Sequence, residues 1–202
     1  MKKIIAFLAI LFFAFQLQAQ DINLLNSIKA TNGKIKSFEA NLSNTLVKPK
    51  KTTSQVGKLY FVAPKEFAAL FVTDKFMVVN EKKINMDIGL FNGVFRLKDG
   101  GMMQSLSNIF LYGFQGRIQD LADENGYNLS TKTEGDFHVV TGTIKKKKLI
   151  GIGYEQVVFK YFKDSLLLKE IVLYDYSGNE DIYTISNVKY DVNVDPDIFK
   201  IQ

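Results

Sequence analysis

A chain of 202 residues without a single cysteine is long enough to bury a sizeable core and has to do so without disulfides, thiolate metal sites or an acylated cysteine. Its formal net charge of +5, from 26 basic and 21 acidic residues, is too small an excess for a nucleic-acid partner. One histidine leaves no second imidazole or thiol with which to build a triad or a transition-metal set, so catalytic and metal residues are expected to be absent, and cofactors with them.

Lys2 and Lys3 precede an unbroken apolar run of 12 residues, Ile4 to Phe15, and the small residue Ala19 follows. This is the layout of a secretory signal peptide, and the run is well short of the roughly 20 apolar residues that span a bilayer as a helix. Cleavage after Ala19 is expected, giving a signal peptide over 1–19 and one mature domain over 20–202 with a net charge of +3. No later apolar run reaches spanning length, so the expected product is a soluble periplasmic protein.

In the mature chain Asp21 is placed to cap a helix whose Ile22, Leu25 and Ile28 recur at three-residue spacing, and Asn32-Gly33 supplies its stop. From Phe38 the period becomes two, with Phe38, Ala40 and Leu42 alternating with Glu39, Asn41 and Ser43. Val47-Lys48-Pro49-Lys50-Lys51 breaks that strand, and Gln55 to Ala63 resumes as a second, making a hairpin with a basic loop. Short strands are predicted at Phe67 to Thr73, Phe76 to Asn80, Lys83 to Ile88 and Val94 to Leu97, the last after a Gly-Leu-Phe-Asn-Gly turn. After Gly100-Gly101, Met102, Leu106, Ile109 and Phe110 fall on one helical face, opposite Gln104, Ser105 and Ser107. A short helical piece around Ile118 to Leu121 precedes strands at Tyr127 to Lys132, Phe137 to Ile144, Gln156 to Phe162, Leu167 to Tyr176, Asp181 to Val188 and Ile198 to Ile201.

About eleven strands joined by near-neighbour turns, with two or three short helices, imply a mainly β protein built on one large antiparallel sheet. A sheet that wide curls or closes, and the helices then belong on its concave, apolar face.

The ordered set of a helix leading into Ser37-Phe38-Glu39-Ala40-Asn41-Leu42, then Gly57-Lys58-Leu59-Tyr60-Phe61-Val62-Ala63-Pro64-Lys65-Glu66-Phe67, then Leu173-Tyr174-Asp175-Tyr176-Ser177-Gly178-Asn179, resembles the LolA family of periplasmic carriers of outer-membrane lipoproteins. Ile185-Ser186-Asn187-Val188 followed by Asp197-Ile198-Phe199-Lys200-Ile201 also looks like that family, and the likeness covers nearly all of the mature chain. The resemblance implies an incomplete, half-open β-barrel lidded by helices, whose interior receives lipoprotein acyl chains. It also implies an inner-membrane ABC transporter that loads the carrier, an outer-membrane receptor that empties it, and transport of cargo from the inner to the outer membrane. Where the family usually has Arg before the Pro of the second strand, this chain has Ala63, which removes a polar contact to the lid.

Candidate cavity residues are Phe38, Leu42, Leu59, Phe61, Phe71, Phe159 and Ile171 on strands and Met102, Met103, Leu106 and Phe110 on the lid, where flexible thioethers suit a surface that repacks. The same pattern is what a filled core shows, because periodicity does not separate packed side chains from a cavity. Two basic runs stand out: Lys48, Lys50 and Lys51, and the candidate partner-docking residues Lys145, Lys146, Lys147 and Lys148, which can also be read as solvated, edge-protecting turns. His138 sits mid-strand, Asp120, Asp123 and Glu124 match no Ca²⁺ loop, and Gly151-Ile152-Gly153 lacks a dinucleotide loop's strand-to-helix setting. The leading expectation is a monomeric lipoprotein carrier. A carrier of another envelope lipid, or a packed, non-enzymatic interaction module of the envelope, stands beside it.

Overall fold

The computed structural model describes residues 21–88, 91–99, 101–145 and 153–201. The expected signal peptide, Gly89-Leu90, Lys146 to Lys148 and Gly151-Ile152 lie outside them.

Residues 21–32 are helical, as α1. Asp21 is itself helical rather than a cap, and its carboxylate accepts a hydrogen bond from the Thr131 hydroxyl. Leu25 and Ile28 are buried while Ile22 stays 53% exposed, so Leu24 completes the stripe instead. Asn32 closes the helix by donating to the Ile28 and Leu166 carbonyls at 2.9 and 2.8 Å.

Strands β1 (Ser37–Lys48), β2 (Lys51–Val62), β3 (Glu66–Phe71), β4 (Phe76–Val79), β5 (Lys83–Ile88) and β6 (Phe91–Arg96) form a meander. Helices α2 (Met102–Gln115) and α3 (Ile118–Asn125) interrupt it before β7 (Tyr127–Glu134), β8 (Phe137–Ile144), β9 (Tyr154–Phe162), β10 (Leu168–Asp175) and β11 (Glu180–Tyr190). All pairings are antiparallel, in the order β6-β5-β4-β3-β2-β1-β11-β10-β9-β8-β7. The chain therefore begins and ends its sheet at the centre, building one wing outward from β1 to β6 and the other inward from the β7 edge to β11. The sheet does not close into a barrel.

Further sequence expectations are corrected, among them the start of the second strand, which is Lys51 rather than Gln55. Phe91 to Gly93, read as part of a turn, belong to β6. Ile198 to Ile201, read as a strand, instead form the second half of a 3₁₀ turn over Pro196–Phe199 and the two residues after it, because Asp195 accepts from the Asp197 N–H and Pro196 presets the backbone.

Side-chain alternation sorts the sheet into two faces. The concave face carries Phe38 and Leu42 of β1, Leu59 and Phe61 of β2, Phe67 and Phe71 of β3, Met77 of β4 and Met86 of β5 on one wing, and Phe159, Ile171 and Tyr183 on the other. All of these lie in one cluster with Leu106, Phe110 and Phe114 of α2 and Ile118 and Leu121 of α3. The convex face holds two small clusters, one sealed by Phe199 against Ala68 and Val78, the other made by Val139, Val158 and Val172.

Candidate functional site

Helix α2 crosses the centre of the concave face and sets two aromatic rings, one turn apart, onto a floor of rings. Phe114 meets Phe38, Phe61 and Phe67 edge-on at 5.4, 5.5 and 5.6 Å, and Phe110 meets Phe67 at 5.3 Å and Tyr183 at 5.0 Å. These separations lie in the range of favourable ring pairs. Met77 and Met86 are fully buried in the same cluster.

The C-terminal half of α2 is fixed by backbone proximity and by hydrogen bonds. A Cβ on Gly113 would come within 2.8 Å of the Phe159 ring and 3.2 Å of Ile171, so only glycine lets the helix lie this close to β9 and β10. The buried Tyr161 hydroxyl donates to the Gly113 carbonyl at 2.9 Å, and burial drives that phenol's pKa far up, keeping it a donor. Gln115 donates to the Pro64 carbonyl at 2.9 Å. This bond ties the helix to the corner where Ala63 stands. Gly116 ends the helix at φ 66°, with the Ile28 carbonyl of α1 against it.

The N-terminal end differs. Gly101 precedes the helix without any side-chain cap bond, the first turn holds no acid, and Met102 is 38% exposed. The outer flank of α2 is tied to α3: Asn108 and Tyr112 donate to Glu124 at 3.2 and 2.8 Å, and Arg117 lies 4.3 Å over the Tyr112 ring while pairing with Asp120 at 2.6 Å. Burial and the Glu124 hydrogen bond push the Tyr112 phenol up to about 12. Burial raises the Asp120 carboxyl, but hydrogen bonds from Arg117 and Lys29 more than offset this and leave it below its ordinary value.

Of the residues picked from sequence, Phe38, Leu42, Leu59, Phe61, Phe71, Leu106, Phe110, Phe159 and Ile171 come together in this cluster, and Met103 packs against it. Met102 does not; it points to the surface. Sequence reasoning missed Phe67, Phe114 and Tyr183, although Phe114 lies one helical turn beyond Phe110 and Phe67 two residues before Ala69 on the inward face. Ser107, assigned to the outer flank, is buried, its hydroxyl donating to the Gln104 carbonyl at 3.0 Å. Lys145 is exposed, and Lys146, Lys147 and Lys148 fall outside the described residues.

The side chains that meet α2 on the concave face are buried. The crevice between Phe38, Phe114, Ile185 and Tyr190 measures about 10 Å³, no more than the smallest space that holds one water. Beside the rings sits a polar group: Asp181 accepts from Asn44 and, at 2.9 Å, from the Tyr183 hydroxyl, while Gln55 donates to Asn44 at 3.0 Å. Burial outweighs these bonds and holds the Asp181 carboxyl above its usual range. His138 pairs with the Thr133 hydroxyl at 3.0 Å on the outer wing, and Asp120, Asp123 and Glu124 are each engaged within the helical layer. Among the described residues no cluster of three metal-ligating side chains occurs, and no helix is long and apolar enough to cross a membrane.

No protein-family model and no curated protein sequence matches this chain. Solved structures match it in shape. An uncharacterized conserved protein from Thermus thermophilus superposes with a TM-score of 0.51 at 11% identity, over 92% of this chain and 94% of that one. A LolA superfamily protein from Nitrosomonas europaea gives 0.45 at 10% identity over 89% and 96%, and an outer-membrane lipoprotein-sorting protein domain from Vibrio parahaemolyticus gives 0.46 at 11% over 88% and 94%. At 11% identity the likeness to the Thermus thermophilus protein is one of fold.

Proposed function

We propose that this chain is a non-enzymatic periplasmic carrier that buries the acyl chains of lipoproteins, or of another envelope lipid, between α2 and the concave face of its sheet. Residues 1–19 serve as its signal peptide, and the run Lys145 to Lys148 contacts the membrane or partner at which cargo is exchanged. Loading by an inner-membrane transporter and unloading at an outer-membrane receptor belong to the same reading.

The observation that carries it is the combination of a ring-and-methionine floor with a covering helix fixed at one end only. Hiding an acyl chain from water gains about 0.8 kcal/mol per CH₂. A guest that lifts the open end of α2 replaces Met103 and Leu106 on the floor, so apolar burial is exchanged rather than simply added. A balance of that kind permits release as well as capture.

Native mass spectrometry of the protein isolated from its envelope tests this: lipid adducts are expected, and depletion of the protein should leave lipoproteins or lipids stalled at the inner membrane. No adduct together with no stalled species removes the carrier reading. The second reading, a packed module that serves a protein partner, is supported by the crevice of only about 10 Å³. It is the one that survives such a result.

A further inference from the structure

Strand β2 is longer than the strand that pairs with its outer side. β3 matches β2 only over Gly57 to Val62, and the last rung beyond this is the Val72 N–H donating to the Val56 carbonyl at 3.0 Å, after which the chain turns away toward β4. The backbone of residues 51–55 of β2 is therefore bonded to β1 alone among the described residues, and beyond Val56 the outer side is held only by the Thr73 hydroxyl, which donates to the Gln55 side chain at 2.6 Å. Antiparallel backbone groups alternate sides, so Ser54 and Thr52, two and four residues before Val56, direct N–H and C=O away from β1 into this open edge. Both residues are exposed.

Two further features flank the edge. At its base the convex face forms an open groove of about 590 Å³, with Val56, Leu70 and Val72 along it; Val56 is 56% and Val72 74% exposed. At its tip, Lys48, Lys50 and Lys51 are all exposed, and among the described residues none of them is in an ion pair. Lysine and proline commonly blunt a free strand edge, and Pro49 stands in this turn, but exposed valines at the base are the opposite of blunting.

We propose that the open edge of β2 is a strand-addition site for an extended, acidic segment of a partner protein. Backbone groups at Thr52 and Ser54 supply the ladder, Val56 and Val72 take every second, apolar side chain, and the three lysines meet carboxylates. The site lies on the convex face, away from α2, and stands whether or not the interior carries lipid.

The probe is a capped peptide of about seven residues alternating valine and glutamate, added to the mature chain and read by fluorescence anisotropy and by amide hydrogen exchange. Binding is expected to protect the Thr52 and Ser54 amides. Ser54→Pro deletes only the outward N–H and leaves the β1 ladder in place, so at least a tenfold loss of affinity is expected, whereas Ser54→Ala, which removes the hydroxyl contact with Thr45, should bind as the parent does. Replacing Lys48, Lys50 and Lys51 with Gln should weaken binding and flatten its salt dependence. Should Ser54→Pro fail to fold, as judged by its melting, the exchange pattern of the parent protein decides. Absence of protection at residues 52 and 54, or equal binding by a folded Ser54→Pro, overturns the proposal. So does lysine-dependent binding to anionic phospholipid vesicles without binding of the peptide.

Discussion

At its C-terminal end α2 has a glycine pressed onto β9 and β10, two carbonyl-directed hydrogen bonds from Tyr161 and Gln115, and a left-handed glycine abutting α1; at its N-terminal end it has an uncapped glycine and a surface methionine. Both ends belong to one helix of 14 residues, so helix propensity does not separate them. The difference teaches where the cover can move. Among the described residues, lifting the N-terminal turn breaks apolar contacts and disturbs the Gln104–Asn108 hydrogen bond within the helix, whereas lifting the other end strands the polar partners of Gly113 and Pro64 on other elements.

The sharpest way to break this comparison is Phe114→Ala. Its ring touches three others in a buried cluster, and the expected loss is about 3–5 kcal/mol in chemical denaturation. A loss no larger than that of an exposed surface substitution, roughly 0.5 kcal/mol, would show that the fixed end is not fixed.

The middle of the helix rests on a titrating group, because Phe110 packs on Tyr183 and the Tyr183 hydroxyl donates to Asp181. Burial raises the Asp181 pKa in the folded chain, so its contribution is fully present below the unfolded value and is lost as pH rises through the folded one. Asp181→Asn should therefore be more stable than the parent at neutral pH and should lose that advantage near pH ~3. Equal midpoints at both pH values would mean that the Asn44 and Tyr183 hydrogen bonds fully offset the desolvation.

The sheet was legible because its signals are local. Phe38, Ala40 and Leu42 alternate with polar residues, Pro49 marks the first hairpin, and the inward positions they predict are the ones buried. Legibility failed where tertiary packing decides. Ile198 and Ile201 look like a strand, but Asp195-Pro196-Asp197 starts a 3₁₀ turn and Phe199 finds its burial on the convex face. Ser107 looked solvent-facing until its bond to the Gln104 carbonyl made burial tolerable. The candidate site was half visible: periodicity selects inward side chains but does not report that rings from β1, β2, β3 and β11 converge beneath Phe110 and Phe114. The fixing of one helix end by Gly113 and Gln115 depends on partners far away in sequence, Phe159, Tyr161 and Pro64, which no local pattern couples.

The smallest expected effect is also the most discriminating. Met102→Glu places an acid in the first turn of α2, where unpaired backbone N–H groups point outward and nothing acidic now lies, and it alters a side chain that contributes little burial. The interaction is worth about 0.3–1 kcal/mol and should raise the denaturation midpoint slightly. If that end must lift for a guest to enter, the same energy opposes opening and lowers the rate of lipid uptake by roughly two- to fivefold. A variant that is more stable yet slower to load separates a moving cover from a static one. Raised stability with unchanged uptake would place the entrance elsewhere, and the asymmetry of α2 would then belong to packing alone.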